Sequence, residues 1–385
     1  MDIICFSHIK WNFVYQRPQH LLYRFAVDNR VFIIEEPIIE TSSSETSSSD
    51  YYEITRPDEK SNLRVVTMHI SQGDSILKTN STIKAVLDSM IYANSIKNYI
   101  SWYYTPMALS YSEQLNPVIT IYDCMDELSA FKFAPAGLKE WEQKLFLQAD
   151  LVFTGGYSLY NEKKHLHHNI HPFPSSIDHS HFLQSRTLRD EPSDQASIPH
   201  PRFGFYGVID ERFHLDLISE LAALRPEWHF VLIGPIAKID PATLPQSPNI
   251  HYPGRKEYKD LPAYLAGWDV AILPFELNDS TRFISPTKTP EYLAGGKPVI
   301  STSITDVVNP YAKMGLVHIA DNATDFIKAA ETIFNMEDKD EWLAQVDAFL
   351  STISWNKTWA QMSELINETI EKKTIIKPTK PKIYV

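Results

Sequence analysis

The sequence predicts an α/β protein with two doubly wound domains that face each other across a cleft. The chain has 385 residues, which is more than one ordinary domain and suits two. Short apolar strands alternate with helical patterns in both halves, as parallel sheets require. Residues 186–200 are polar and lack a hydrophobic period, so they predict an interdomain linker between the halves.

The first predicted domain covers residues 1–185. Residues 3–6 form an apolar run, a loop at 7–18 and a helix follow it, and residues 31–34 form a second apolar run. This order is the β-loop-α-β opening of a doubly wound sheet. Residues 123–127 follow a later strand, so they and the first loop are expected at the carboxyl ends of strands, where such sheets bind ligands.

The second predicted domain covers residues 201–354 and repeats the pattern. A strand at 203–206 leads through the loop 207–213 to a helix at 215–224. Beyond this domain, the C-terminal helix and tail at 355–385 are expected to pack back on the first domain.

The stretch 282–301 predicts a loop, a short helix at about 287–294 and a buried strand. A helix N-terminus offers unpaired N–H groups and the positive end of a dipole, which suit phosphate oxygens. Arg282 and Lys288 flank that start, and Glu291 lies one turn further on, where a carboxylate can accept hydrogen bonds from vicinal hydroxyls. Phosphate and diol together indicate a nucleotide. The alternative is an ordinary loop and helix with two basic residues on a solvated face.

The composition is that of a soluble globular protein, with 43% hydrophobic and 22% charged residues. A net charge of -12 argues against general nucleic-acid binding. The two cysteines, Cys5 and Cys124, fall in or beside apolar strand-like runs and are expected in the core, which fits a reducing cytoplasm. The N-terminus has no signal-peptide pattern, and no apolar run approaches the roughly 20 residues of a spanning helix.

Two further segments carry weaker signals. The serine-rich run at 41–50 predicts a mobile low-complexity loop. The basic tail at 372–385, with the helix predicted near 83–96, suits peripheral contact with the anionic inner face of a membrane, at about 1 kcal/mol per basic residue. A solvated tail is the alternative interpretation.

Four phrases resemble the GT-B-fold glycosyltransferases, and within them the retaining, metal-independent glycosyltransferase family 4 (group 1 type). They are QRPQHLL at 16–22, FPSSIDHSHF at 173–182, FGFYG at 203–207 and SPTKTPEYLAGGKPVIS at 285–301. The resemblance covers almost the full chain, and its last phrase is the most specific. It implies two Rossmann-like domains that transfer a hexosyl group from a nucleoside diphosphate sugar, UDP more than GDP, to a glycan or lipid-linked acceptor. It also implies retention, no metal or other cofactor, and a place in bacterial-type cell-surface polysaccharide synthesis.

One half of the family's nucleotide-sugar signature is altered. The signature has two glutamates separated by seven residues, and Glu291 matches the second, which is implied to bind the ribose hydroxyls. Phe283 stands where the first is expected, and Ile284-Ser285-Pro286 replaces the usual glycine-containing turn. This change implies a sugar held differently, a compensation on the acceptor side, or lost activity. The alternatives to transfer are a sugar-nucleotide epimerase of the same fold and a non-catalytic module that binds nucleotide sugar or glycan.

Transfer without a metal needs basic groups and helix amides arranged before the reaction. Arg212 and Lys288 are predicted to meet the diphosphate charge, and Asp126 or Asp123 to orient an acceptor hydroxyl or stabilise positive charge on the sugar. Helix capping is the alternative for both aspartates. The predicted donor-nucleotide residues are Glu291, Ser285, Pro286, Thr287, Gly207, Arg282 and Gly234, and the predicted acceptor-side residues are His8, Trp11 and Arg17.

No metal or dinucleotide cofactor is expected. The histidines at 165, 167, 168 and 171 match no standard ligand spacing. The Asp-Lys-Asp at 338–340 falls in a charged run that starts a late helix, and no Gly-x-Gly-x-x-Gly occurs.

Overall fold

The computed structural model describes residues 1–40 and 50–376. Within them the chain forms two α/β domains, each with a sheet between layers of helices. This confirms the predicted pair of doubly wound parallel-sheet domains. The predicted serine-rich loop, apart from Asp50, and the tail beyond residue 376 lie outside the described residues.

The first sheet, as far as the chain is described, has the order β3-β5-β2-β1-β6-β7-β8-β9, and β4 pairs antiparallel with β5. All other pairs are parallel. Its strands are β1 (Asp2–Phe6), β2 (Arg30–Ile34), β3 (Ile38–Glu40), β4 (Tyr51–Thr55), β5 (Leu63–Ser71), β6 (Tyr99–Tyr103), β7 (Ile119–Cys124), β8 (Leu151–Thr154) and β9 (Ile170–Pro172). The central strands are buried along their length because helices cover both faces, which is why they read as continuous apolar runs.

Helices of the first domain connect these strands. They are α1 (Arg17–Phe25), α2 (Ile76–Ala93), α3 (Leu109–Ser112), α4 (Leu138–Gln148) and α5 (Tyr157–Lys163). The first of them begins with Pro18 in its first turn, and Gln19 and Gln16 exchange capping hydrogen bonds there. The start of α1 is thereby fixed next to the first loop.

The second sheet is parallel throughout its described strands, in the order β12-β11-β10-β13-β14-β15. Its strands are β10 (Arg202–Tyr206), β11 (His229–Ile233), β12 (Ile250–Gly254), β13 (Val270–Leu273), β14 (Val299–Ser301) and β15 (His318–Ile319). The remaining helices are α6 (His179–Leu183), α7 (Ser193–Ala196), α8 (Leu215–Leu224), α9 (Leu261–Ala266), α10 (Lys288–Ala294), α11 (Thr305–Val307), α12 (Ala323–Phe334), α13 (Lys339–Leu350) and α14 (Trp355–Ile376).

The predicted linker at 186–200 is part of the second domain's packing. Gln195 is fully buried, where its side chain donates to the carbonyl of Tyr264 and accepts from the Trp268 indole. Arg186 binds Asp347 through both terminal nitrogens, at 2.6 and 2.9 Å. The polar side chains of this predicted linker are therefore satisfied by hydrogen bonds to the second domain rather than by water.

The last described helix, α14, packs on the first domain. Trp355 stacks on His20 of α1, with 4.6 Å between ring centroids, and Lys373 forms an ion pair with Asp150 at 2.7 Å. At its start, the Trp355 amide donates to the carbonyl of Ile177 at 3.2 Å, so the chain returns beside the point where it left. No described helix is both long enough and apolar enough to cross a membrane.

Candidate functional site

A cavity of about 530 Å³ lies between the two domains. Its walls come from the first loop and the end of β7 on one side, and from the ends of β10, β11 and β12 and the start of α10 on the other. These are carboxyl ends of parallel strands, the usual ligand position in such folds. The volume falls in the range of ordinary small-molecule sites.

Two glycines form one wall of the cavity and allow close approach of the backbones. Gly207 has φ +152° and Gly234 has φ +148°, both of which side chains disfavour. A Cβ atom on Gly234 would lie 1.7 Å from the Gly207 carbonyl oxygen, and one on Gly207 would lie 2.2 Å from Cε of Lys288. The amide of Gly207 already donates to Ile233, so this glycine supplies space for Lys288 and a ligand rather than a free N–H.

Lys288 and Arg212 are the cations of the donor side. Lys288 is the first residue of α10, so its side chain lies where the helix dipole also favours an anion. Burial lowers the pKa of Lys288, and the positive charge of Arg212 lowers it further, while the negative charge of Glu291 opposes this effect. An entering diphosphate would reverse this effect because it supplies compensating negative charge. Arg212 is held by Asp210, whose carboxylate accepts from Nη2 at 2.6 Å and from Nε at 3.0 Å.

Glu291 lies in the first turn of α10 and lines the cavity, with 5% of its surface exposed. The Tyr206 hydroxyl donates to its Oε2 at 2.9 Å. Burial raises the pKa of Glu291 to about 8, although this hydrogen bond and Lys288 oppose the rise. The other carboxylate oxygen has no protein donor within the described residues, so it is free to accept a hydroxyl.

The predicted Ser285-Pro286-Thr287 turn lines the cavity, and Arg282 does not. Arg282 is exposed, with its guanidinium carbon 4.9 Å from the Phe283 ring centroid. The irregular loop turns this side chain outward, so Arg282 lies beside the cavity, and its role at the nucleotide stays a prediction. Ser285 instead accepts a hydrogen bond from the Ser175 amide at 3.1 Å, which ties the turn to the crossing between domains.

Phe283, at the position of the missing signature glutamate, packs against the hydrophobic cluster of the first domain. Near it, Asp306 accepts from the Ser158 amide at 3.0 Å, another contact between the domains. The position that the signature gives to a sugar ligand is used here for interdomain packing.

The two aspartates predicted as catalytic have different environments. Asp126 lines the cavity, and burial raises its pKa to about 6 against the attraction of Arg212, Arg17 and Lys288. Asp123 is fully buried and forms an ion pair with Arg17, at 2.9 Å between Oδ1 and Nη2. Asp123 does not line the cavity, and its contact is with Arg17, which does.

The predicted acceptor-side residues are divided by the structure. Trp11 and Arg17 line the cavity, and His8 does not. His8 is half-buried, and burial lowers its pKa to about 4 with a contribution from Lys238, so it is an uncharged interface residue. Trp11 is fixed by Glu35, which accepts from its amide at 2.7 Å, and by Gln19, which donates to its carbonyl at 2.7 Å.

Sequence reasoning missed the residues that close the cavity between the domains. Tyr15 stacks on Tyr258 with 4.3 Å between ring centroids, and Tyr258 stacks on His181 at 4.4 Å. Arg255 donates to the carbonyl of Asn12 at 2.7 Å. The one available signal was the position of Arg255, directly after the apolar strand β12, since strand ends of this sheet meet ligands.

The comparisons agree with this architecture. Residues 200–336 match the family described as glycosyl transferases group 1. A Bacillus subtilis (strain 168) protein, TuaH, whose name assigns it provisionally to teichuronic acid biosynthesis as a glycosyltransferase, is 25% identical over 265 residues. That match spans 63% of this chain and 65% of the relative, less than two thirds of its length.

Solved structures resemble the chain over nearly its full length. They include the sucrose-phosphate synthase of Thermosynechococcus elongatus, with a TM-score of 0.68 and 13% identity, over 96% of this chain and 99% of that one. An E. coli trehalose-6-phosphate protein bound with UDP-2-fluoro glucose has a TM-score of 0.64 and 11% identity, over 95% and 99%. Anabaena Alr3699/HepE in complex with UDP and glucose has a TM-score of 0.62 and 12% identity, over 95% of this chain and 99% of that one. The fold is that of the GT-B glycosyltransferases, and the family match supports a glycosyltransferase.

Proposed function

We propose that this chain transfers a hexosyl group from a nucleoside diphosphate sugar, UDP in preference to GDP, to a glycan or lipid-linked acceptor. Retention at the anomeric carbon, independence of metal ions and a role in bacterial-type cell-surface polysaccharide synthesis belong to the same proposal. One observation carries it: Lys288, Arg212 and Glu291 line one wall of an interdomain cavity that Asp126 enters from the other domain.

The donor half follows from charge and hydrogen bonding. The nucleotide's diphosphate is expected between Lys288 and Arg212, at the wall that Gly207 and Gly234 form. Arg212 keeps Nη1 free of hydrogen bonds to described residues, because Asp210 engages only Nε and Nη2. Glu291 has one free carboxylate oxygen for the ribose hydroxyls. Two preorganised cations can stabilise the negative charge that grows on the leaving diphosphate.

The transfer half depends on Asp126. Three acidic side chains line the described cavity: Asp126, Glu257 and Glu291. Glu291 accepts a hydrogen bond from Tyr206, and the side chain of Glu257 is 68% exposed. Asp126 is left to stabilise positive charge on the sugar or to orient the acceptor hydroxyl. Its raised pKa of about 6 leaves it mostly ionised at neutral pH.

The finer assignments draw on the comparisons as well as on the site. Structural neighbours were solved with UDP-2-fluoro glucose and with UDP and glucose, which supports a UDP donor. The name of the B. subtilis relative supports a cell-surface polysaccharide as the product. The resemblance of residues 285–301 to the retaining, metal-independent family supports retention without a metal.

The first test is ligand-induced stabilisation. A ligand that binds only the native state stabilises it by RT ln(1 + [L]/Kd), so thermal shifts can rank UDP, GDP and ADP and then their sugars. UDP is expected to give the largest shift, in the presence of a metal chelator. Lys288→Ala is expected to reduce that shift, and Arg282→Ala is the matched control, since it removes an exposed cation beside the site.

The second test is turnover. Acceptor-dependent release of UDP, with the anomeric configuration of the product read by NMR, is expected from a retaining transferase. Epimerised sugar nucleotide without transfer would instead indicate an epimerase. Binding of UDP-sugar without any turnover would indicate a non-catalytic module, and absence of binding to every nucleotide would contradict the proposal.

Peripheral contact with the inner face of the membrane, from a cytoplasmic location, is a separate proposal that rests on the basic C-terminal sequence. Sedimentation with liposomes tests it: binding to vesicles with anionic lipid at low salt, and loss of binding at high salt, is expected. No sedimentation with anionic vesicles at low salt would reject it.

A further inference from the structure

An aromatic ring of the first domain contacts two cations of the second. The guanidinium carbon of Arg212 is 5.1 Å from the centroid of the Phe131 ring, and Nζ of Lys238 is 4.7 Å from it. Phe131 follows the turn Leu128–Ala130, directly after the Asp126 strand end. Both cations lie in loops that follow β10 and β11.

Each cation is also oriented by an acidic residue of its own domain. Asp210 binds the Arg212 side chain with its closest contact at 2.6 Å, and Glu211 lies 3.8 Å from the ammonium of Lys238. The carboxylate oxygens of Glu211 are buried without a hydrogen-bond donor among the described residues. The second domain therefore brings two fixed cations to this contact, and the first domain supplies the ring.

The surroundings of Phe131 are unlike those of a core phenylalanine. It is only half-buried and belongs to none of the three hydrophobic clusters of the described chain. A desolvated cation over the negative face of a ring is attracted without forming a hydrogen bond, and arginine can also stack on that face. The ring thus limits where the Arg212 guanidinium can turn and leaves its free Nη1 for a ligand.

We propose that Phe131 is a positioning residue that holds Arg212 at the cavity when the two domains are together. The inference rests on the proposed function, in which Arg212 neutralises the leaving diphosphate. Because the ring and the cation come from different domains, the contact links closure of the cleft to completion of the phosphate site. A nucleotide held in an open cleft would meet Arg212 without this restraint.

The test compares Phe131→Leu with Phe133→Leu. Phe133 is the matched control, because it lies two residues away, is 62% exposed and has its own cation, Lys132, at 5.6 Å from its ring. Phe131→Leu is expected to lower kcat for transfer about 10-fold, with a smaller change in KM, since desolvated cation–π contacts are of that order. Phe131→Tyr is expected to restore most of the rate because it keeps the ring, whereas a merely space-filling role would be met equally well by leucine.

A double-mutant cycle shows whether Phe131 acts through Arg212. In an Arg212→Met background, Phe131→Leu is expected to cause little further loss of kcat. The same cycle on urea unfolding should give a coupling free energy above the error of the measurement, and this readout does not depend on any activity. Full additivity in that cycle, or equal kcat in Phe131→Leu and Phe133→Leu, would overturn the inference. Absence of nucleotide binding and turnover in the wild-type protein would instead reject the proposed function. The double-mutant cycle on urea unfolding would still show whether Phe131 and Arg212 interact.

Discussion

Replacement of Asp126 by asparagine should stabilise the protein while it removes transfer. Burial raises the pKa of Asp126 from 3.8 to about 6, so the folded state holds the ionised carboxylate at a cost. A difference of about 2 pKa units corresponds to about 3 kcal/mol at roughly 1.4 kcal/mol per unit. Solvent in the half-open site reduces this, and we expect a gain of about 1 to 2 kcal/mol for Asp126→Asn at pH 8.

The sign of the pH dependence follows from proton linkage. Between the unfolded and folded pKa values, the folded state binds more protons than the unfolded state, so stability falls as pH rises through about 6. Asparagine cannot ionise, so the Asp126→Asn variant does not lose this stability as the pH rises. The advantage of Asp126→Asn should therefore be largest at pH 8 and should vanish towards pH 4, below the unfolded pKa.

The assay is urea unfolding of wild-type and variant proteins from pH 4 to pH 8, followed by tryptophan fluorescence. The comparison variant is Asp123→Asn. It leaves the buried Arg17 charge without its partner at 2.9 Å, so it should lower the free energy of unfolding by about 3 to 5 kcal/mol. Opposite signs for two aspartates three residues apart would support the different environments. A destabilised Asp126→Asn at pH 8, or a gain that does not change with pH, would refute the reasoning.

Other substitutions address the donor side. Glu291→Ala is expected to weaken UDP binding about 30-fold in calorimetry, since two hydrogen bonds of about 1 kcal/mol each are lost. Tyr206→Phe should weaken it less, and unchanged affinity in Glu291→Ala would remove that residue from the ribose site. Gly207→Ala should abolish a UDP-induced thermal shift, because its Cβ would lie 2.2 Å from Cε of Lys288; a normal shift would contradict the close approach. Phe283→Glu restores the signature glutamate but places a carboxylate against the first domain's hydrophobic cluster. We therefore expect about 2 kcal/mol of lost stability and no gain in transfer rate. Faster transfer would show that the sugar contact had been recovered.

The fold and the relative positions of Lys288 and Glu291 were predictable from sequence because both depend on local patterns. Apolar runs of buried strands and the alternation of strands with helices determine the two sheets. Lys288 and Glu291 lie on a short helix whose start the sequence marks, so their spacing fixes their place relative to each other. The roles assigned to them remain proposals.

The rest of the site depends on contacts that sequence spacing does not encode. The outward direction of Arg282 was not predictable because the direction of a side chain in an irregular loop is set by its neighbours, here Phe283. The contact of Asp123 with Arg17 was missed because Arg17, at the start of α1, is distant from Asp123 along the chain. The contacts of Tyr258 with Tyr15 and of Phe131 with Arg212 were missed because they join residues of different domains that are distant along the chain.

The hydrogen bond from the Trp355 amide to the Ile177 carbonyl has a consequence for how such proteins diversify. It brings the exit and the return of the chain side by side, so the whole second domain is inserted into the first at a single place. A domain attached in this way can be exchanged between relatives without cutting the first sheet or separating α14 from the first domain.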